Sequence, residues 1–554
     1  MFTRPRGLDA LLVLVAAVFV LSAGVGPADA APSTLSVAWS PCYRELGFPF
    51  ECGTVQVPLD HGDPGGATIS IALARLPASD SRRRIGSLFL NPGGPGGSGV
   101  DLVLFAGPIL YTPEVRARFD LVGFDPRGIA RSTALRCFGN PQQWSPAFTP
   151  FPFPLTSEEE AVWAEADRFL ASECDQRAGR PIDHMSTADV ARDLDLLRQA
   201  VGDARLTYAG YSYGSYLGVT YANLFPDKVR ALVVDSVLDP IAWSTGAPSE
   251  ESLPFSTRLR SGAGAQATLE EFFRLCDLGG ANCAFSGGAA GRFATLAARL
   301  RAHPLSITDP ASGATYSFGY ADLIINALIA LYNSFSWPAF ADFLAFVESQ
   351  PPPLALGQRL QALREASFIT KRGFPQYPNV LEGFPSVVCS DSDNPDSYAA
   401  WHAASLAEDA LGYFGRPWTW ISSICVVWPG VGPDRYMGPF DHNTANPVLV
   451  VGTESDPATR YEGAVAVRGL LPHSSLLSVH GWGHVSVFLS QCADQAVAGY
   501  LLTGTPPPDG TVCTQDVVPF AQPAPASAPV TASVAAKRRA RATLVPDILL
   551  KSLH

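Results

Sequence analysis

Gly210-Tyr211-Ser212-Tyr213-Gly214 sets a serine between two glycines. The apolar run Leu206–Ala209 precedes it, and the helical pattern Tyr216–Phe225 follows. A serine at a tight strand-to-helix turn needs small flanking residues, and backbone strain there holds its hydroxyl clear of the chain. The N-terminus of the helix behind it favours negative charge developing at a carbon under attack. The chemistry these residues suit is nucleophilic, with Ser212 as the attacking group. An ordinary glycine-rich turn is the competing reading, and it does not explain the strand and helix patterns on either side.

A serine hydroxyl is a weak nucleophile and needs a base. In this motif class the chain order is serine, acid, histidine. Of nine histidines, His61 and His184 precede Ser212, His303 falls in a segment without strand rhythm, and His554 ends the chain. His484 closes Gly481-Trp482-Gly483-His484, directly after the apolar run Ser475–Val479. Its glycines let an imidazole reach the serine. His480 is the near rival, but it continues the strand alternation. The acid should lie on a loop after a strand and before the histidine. Asp456 in Gly452-Thr453-Glu454-Ser455-Asp456-Pro457 fits, and it would fix the tautomer of the histidine. Glu454 and Asp235 are rivals, and each has the commoner alternative of a turn or capping carboxylate.

The loop Asn91-Pro92-Gly93-Gly94-Pro95-Gly96-Gly97-Ser98-Gly99 follows the run Ser87–Leu90. Gly94, Gly96 and Gly99 formally match a dinucleotide fingerprint, with Asp120 at about the right distance for a ribose. Two strands precede this loop, however, whereas that fingerprint opens the first strand–helix turn. Pro92 and Pro95 also remove amides that a pyrophosphate would use. An oxyanion hole accounts for the glycines better: the backbone N–H of Gly94 pairs with that of Tyr213.

These groups need a scaffold. Alternation at Thr54–Val57 and Thr68–Leu76 predicts a hairpin. Short, fully apolar runs at Ser87–Leu90, Asp120–Phe124, Leu206–Ala209, Ala231–Val234, Pro447–Val451 and Ser475–Val479 predict buried parallel strands, whose C-terminal ends carry the sites of α/β proteins. Ser186 to Val201 predicts a helix with Val190, Leu194, Leu197 and Val201 on one face and Ser186 and Asp189 as a capping box. The strand rhythm breaks over 241–440, which is expected to be a mainly helical insertion over the C-terminal edge of the sheet. The expected organisation is a signal peptide at 1–30, core at 31–240, insertion at 241–440, core again at 441–513, and a Pro/Ala-rich then basic, disordered tail at 514–554.

Arg4 and Arg6, an apolar run from Ala10 to Val25 and Ala28-Asp29-Ala30 form a secretory signal peptide. The run falls short of the ~20 residues a membrane span needs, so no stable membrane insertion is expected after cleavage. The protein is expected outside the cell or at its envelope. Ten cysteines in an exported chain suggest disulfides. Pairing neighbours gives Cys42–Cys52, Cys137–Cys174, Cys276–Cys283, Cys389–Cys425 and Cys492–Cys513, although sequence leaves the connectivity open. No C-x-x-C pair or histidine-rich cluster suggests zinc, so no metal is expected. Over 554 residues, 39 Lys plus Arg against 51 Asp plus Glu gives a net charge of −12, which argues against nucleic acid as a partner. An apolar content of 47% excludes a disordered chain.

The glycine-rich loop, Asp125-Pro126-Arg127-Gly128 with Ser132, the Ser212 pentapeptide, Glu454-Ser455-Asp456-Pro457 and Gly-Trp-Gly-His484 occur in that order. In this set the chain resembles the secreted tripeptidyl-aminopeptidase branch of the α/β-hydrolase fold, related to prolyl aminopeptidases, from about Trp39 to Cys513. The resemblance implies a mostly parallel sheet with a helical lid. It also implies a Ser212–Asp456–His484 triad, an oxyanion hole at Gly94 and Tyr213, and no cofactor. Such enzymes release short peptides from free N-termini, and some relatives act as carboxylesterases, so the expected substrate is a peptide or a small ester. Two positions depart from the pattern: Ala130 stands where relatives commonly have glycine, and Arg460 where they often have proline. Arg127 is expected to brace loops by ion pairing. An aminopeptidase needs a carboxylate for the substrate's amine; Asp391 is the candidate, with Glu382 and Asp393 as rivals. The sequence sets no oligomeric state.

Overall fold

The computed structural model describes residues 35–308, 315–349 and 379–521. The expected signal peptide and residues 522–554 of the expected tail lie outside the described residues, whereas 514–521 belong to the folded part, with Gln515 and Phe520 buried, so the expected start of the tail at 514 is too early. Among the described residues there are twelve strands: β1 (Ser40–Pro41), β2 (Glu51–Pro58), β3 (Thr68–Leu76), β4 (Gly86–Asn91), β5 (Phe119–Phe124), β6 (Leu206–Tyr211), β7 (Val229–Asp235), β8 (Leu305–Thr308), β9 (Thr315–Phe318), β10 (Val448–Ser455), β11 (Ser474–Trp482) and β12 (Thr511–Thr514). Ten form one sheet in the order β1-β2-β3-β5-β4-β6-β7-β10-β11-β12. β1, β2 and β3 run antiparallel to their neighbours, and every pairing from β5 to β12 is parallel.

The residue patterns explain this layout. β4, β5 and β6 are buried at every position, as parallel strands covered on both faces must be. In β2, Val55 and Val57 are buried while Thr54 and Gln56 are exposed, the alternation of a strand with one wet face. The helix Thr187–Ala200 buries Val190, Leu194 and Leu197. Its start is fixed by Asp189 N–H donating to Ser186 Oγ at 3.2 Å and Ser186 Oγ–H donating to the Asp189 carboxylate at 2.7 Å.

β7 and β10 are hydrogen-bonded neighbours, yet more than two hundred residues of chain run between them. That segment carries the helices Ser261–Gly279, Ala289–Ala302, Tyr320–Leu331, Trp337–Glu348, Val380–Asp391 and Tyr398–Asp409. The first four close on a core that includes Phe272, Phe293, Leu328, Trp337 and Phe340, all fully buried, and that is shared with Ala458, Trp482 and Phe520 from beyond β10. One element departs from the helical expectation: β8 and β9 pair as a small antiparallel hairpin. Leu305-Ser306-Ile307-Thr308 and Thr315-Tyr316-Ser317-Phe318 each alternate apolar with polar, a period-two signal too short to stand out in a helical segment.

Five disulfides join Cys42–Cys52, Cys137–Cys174, Cys276–Cys283, Cys389–Cys425 and Cys492–Cys513, each between sequence neighbours. No helix among the described residues is long and apolar enough to cross a membrane.

Candidate active site

Ser212 sits between β6 and the helix Tyr213–Leu224 with φ 56° and ψ −125°. A non-glycine residue held at positive φ is strained, and the surroundings must impose it. They do so through backbone: Ser212 N–H donates to Asp235 O at 3.0 Å, and Ser215 N–H to Ser212 O at 2.8 Å. The flanking glycines are required by close approach. A Cβ on Gly210 would lie 2.1 Å from Gly214 O, and one on Gly214 2.8 Å from Asn91 O.

The glycine-rich loop lies against this turn. Gly93, at φ +95°, leaves no room for a side chain: a Cβ there would sit 2.8 Å from Ser212 Cβ. Gly94 lines the same cleft as Ser212. Behind the loop, the buried Asp125 carboxylate accepts Ser98 Oγ–H at 2.5 Å, Val100 N–H at 3.2 Å and Arg131 N–H at 3.0 Å. Burial pushes Asp125 up to about 6, against the pull of Arg131. Arg127 is 1% exposed and braces loops as expected, with both carboxylate oxygens of Asp193 at 2.7 Å and the carbonyls of Pro58, Leu59 and His184 within 3.0 Å. Asp120 lies at the start of β5, where it accepts from Ala78 N–H and Arg84. That is the opposite end of the sheet from the glycines, so the dinucleotide reading fails. Ala130, the departure from glycine, adopts φ 47°.

His484 and Asp456 meet at the C-terminal ends of β11 and β10. Nδ1 of His484 lies 2.9 and 3.0 Å from the two carboxylate oxygens of Asp456. Both side chains are buried. Asp456 also accepts Ser236 Oγ–H at 2.7 Å, Ala458 N–H at 2.8 Å, Thr459 N–H at 2.9 Å and Thr459 Oγ1–H at 3.0 Å. Burial alone would raise its pKa. The adjacent His484 and the donated hydrogen bonds outweigh that and hold it below the ordinary value.

The rivals have other partners. His480 and Glu454 pair with each other at 2.6 Å on the exposed face of the sheet. The Asp235 carboxylate accepts Ser486 Oγ–H at 2.7 Å and Ser486 N–H, and burial pushes it up to about 6. Three residues with a part in the site carried no clear sequence signal. Ser236, at φ 57°, donates to Asp456 and accepts Val485 N–H at 2.7 Å, so it ties the acid to the histidine loop. Thr459 holds Asp456 and lines the cleft. Tyr332, from the insertion, accepts His484 N–H at its carbonyl at 2.9 Å and packs its ring edgewise on the imidazole. A serine directly after a strand-end aspartate was the one available hint, and it reads equally as a turn.

The cleft above Ser212 takes in about 540 Å³ of space, part of it open to solvent. Ten of its fourteen lining residues come from the segment between β7 and β10, among them the aromatic Trp243, Phe255, Tyr332, Phe384 and Trp418. None of the described residues lining it is charged. The three candidate amine-binding acids are not among them. Asp391 is 2% exposed and satisfied by Thr187 and Trp243, and burial pushes it up to about 7. Glu382 is buried and accepts Cys137 N–H at 3.2 Å. Asp393 is half-exposed and pairs with Arg435 at 2.7 Å.

The sheet order, the strained serine turn and the acid–histidine pair define an α/β-hydrolase. Residues 86–259 match the family model of the alpha/beta hydrolase fold, and residues 411–513 match the model described as TAP-like protein. The chain is 30% identical over 514 residues to a tripeptidyl aminopeptidase of Streptomyces lividans, covering 90% of each chain. It is 31% identical over 506 residues to serine protease Hip1 of Mycobacterium tuberculosis, covering 86% of this chain and 91% of that one. It is 32% identical over 510 residues to carboxylesterase B of the same organism, covering 88% and 92%. The chain belongs to the tripeptidyl-aminopeptidase-like family of α/β-hydrolases and is a serine hydrolase.

Proposed function

We propose that the protein is an exported serine exopeptidase that releases short peptides from free N-termini through an acyl-enzyme. Ser212 attacks the scissile carbonyl, and His484 takes its proton and returns it to the leaving amine. Asp456 holds the His484 tautomer with the proton on Nδ1 and stabilises the imidazolium. The N–H groups of Tyr213 and Gly94 receive the oxyanion. Water then attacks the ester carbonyl, again deprotonated by His484, and Ser212 leaves with its proton restored. The observation that carries this reading is the buried His484–Asp456 pair, set on the same sheet edge as a strained serine that opens on an aromatic-walled cleft. The peptidase assignment draws support from relatives named tripeptidyl aminopeptidase and serine protease that align over most of the chain. The signal-peptide pattern and the five disulfides support export.

The uncharged aromatic wall favours an apolar group on the acyl side of the bond. It also supports a second reading, a carboxylesterase with the same triad, since an esterase needs no carboxylate for an amine. Rates on a tripeptide anilide with a free amine, its N-acetylated twin and a short-chain ester separate the two. A preference for the free amine supports the exopeptidase; turnover of the ester alone moves the esterase ahead. Ser212→Ala is expected to abolish turnover of all three substrates with the melting temperature retained, and wild-type rates in that variant would overturn the nucleophile assignment.

A further inference from the structure

Asp391 lies beneath the cleft rather than in it, yet three segments far apart in sequence converge on its carboxylate. Thr187 N–H donates to Oδ1 at 2.8 Å, Thr187 Oγ1–H to Oδ2 at 2.6 Å, and Trp243 Nε1–H to Oδ2 at 3.3 Å. With Asp391 ionised the Thr187 hydroxyl hydrogen is committed to it, and the Tyr213 phenol at 2.5 Å is then the donor in its bond with Thr187. One acceptor thus fixes the side chain of the residue whose N–H faces the oxyanion, and also the indole that forms a wall of the cleft. Trp243 is packed edgewise or tilted against Tyr213, Tyr216 and Phe255, with ring centroids 5.0–5.6 Å apart. Those contacts hold the ring, but they supply no acceptor for its N–H.

We propose that Asp391 is a specificity-determining positioning residue, which sets the acyl-side wall of the cleft by holding the Trp243 indole and, through Thr187, the Tyr213 side chain. This rests on the reading that the cleft beside Ser212 takes the acyl portion of the substrate. With Asp391 ionised, above about pH 7, every contact to the carboxylate is a donor, so only an acceptor on both oxygens satisfies them. In Asp391→Asn the amide NH2 must face either the Thr187 N–H or the Trp243 N–H, neither of which can turn into an acceptor. Losing the indole bond lets the ring shift within that packing and reshapes the wall against a bulky acyl group. An acetyl group does not reach that wall.

The test uses the mature enzyme and a pair of p-nitrophenyl esters, the 3-phenylpropionate and the acetate, read as a ratio of kcat/KM. Asp391→Asn should lower that ratio about 10–100-fold, the discrimination that misfit in an apolar pocket produces. Trp243→Phe keeps a ring and removes the N–H, and should shift the ratio in the same direction. The double variant should fall by less than the product of the two single effects, because the indole contact is shared between the two residues. An unchanged ratio in Trp243→Phe, equal loss on both esters in Asp391→Asn, or additive effects in the double variant would each overturn the proposal. So would an Asp391→Asn enzyme that loses only its discrimination between free and N-acetylated peptides, since Asp391 would then reach the substrate's amine. Labelling of Ser212 by a fluorophosphonate separates this from failure of the underlying reading. An unlabelled wild-type serine removes the active site itself, whereas a labelled enzyme with an unchanged ratio removes only the role of Asp391.

Discussion

Asp456→Asn changes one atom and should remove most of the catalytic rate. Oδ1 of Asp456 accepts two backbone donors, Ala458 N–H and Thr459 N–H, which cannot rotate. Oδ2 accepts two hydroxyls, those of Ser236 and Thr459, which can. An asparagine therefore keeps its carbonyl at the Oδ1 position and turns its NH2 to the Oδ2 position. That NH2 lies about where Oδ2 stands now, 2.9 Å from His484 Nδ1, and donates to it. The carbonyl kept at the Oδ1 position still lies 3.0 Å from Nδ1, but a proton on Nδ1 would oppose the NH2 hydrogens, so the tautomer with its proton on Nε2 is favoured, and Nε2 then cannot take a proton from Ser212. Wrong-tautomer variants of this kind lose ~10⁴ in kcat, about 5.5 kcal/mol at 1.36 kcal/mol per tenfold. The assay is steady-state hydrolysis of p-nitrophenyl acetate together with the rate of fluorophosphonate labelling of Ser212, with melting temperature as the check on folding. Asp235→Asn is the control. Its carboxylate holds Ser486 rather than His484, so it should retain far more activity than Asp456→Asn. A folded Asp456→Asn enzyme within about tenfold of wild type would refute the tautomer argument.

Gly210→Ala would place a Cβ 2.1 Å from a backbone oxygen that has no room to move, so a loss of ~3 kcal/mol or more, or failure to fold, is expected from thermal melts. Ala130 holds φ 47°, a conformation glycine adopts freely, so Ala130→Gly should leave stability unchanged or raise it by up to ~1 kcal/mol despite the extra freedom of the unfolded chain. Burial pushes Asp125 and Asp235 up to about 6 and Asp391 up to about 7. Between the ordinary value near 4 and those values the folded state holds protons that the unfolded chain has released, so stability should fall as pH rises from about 4 to about 7. A melting temperature higher at pH 8 than at pH 5 would contradict this. Replacing Cys389 and Cys425 by serine opens a bridge with a sequence separation of 36, and should cost ~2–4 kcal/mol in denaturant unfolding.

What sequence could and could not reveal follows from the range of the interactions. The serine turn was legible because its constraint is partly local: a side chain on Gly210 would strike the carbonyl of Gly214, four residues on, although the space beside Gly214 is closed by Asn91 at the end of β4. The strands were legible because burial on both faces demands unbroken apolar runs, and these end near Asn91, Tyr211, Asp235 and Ser455, where the sheet edge builds its site. The choice between His484 and His480 was harder. Glu454 and Asp456 stand two residues apart at the end of β10, and His480 and His484 four apart at the end of the adjacent parallel strand β11, so the inner pair and the outer pair of carboxylate and imidazole look alike in spacing. Only the burial of each pair separates them. Asp391 was beyond reach. Its acidic type and its place in an insertion suggested an amine ligand, but the fold surrounds it with donors from Thr187 and Trp243, 204 and 148 residues away. The task of a buried carboxylate is set by which donors the chain brings to it, and no local spacing around Asp391 encodes that meeting.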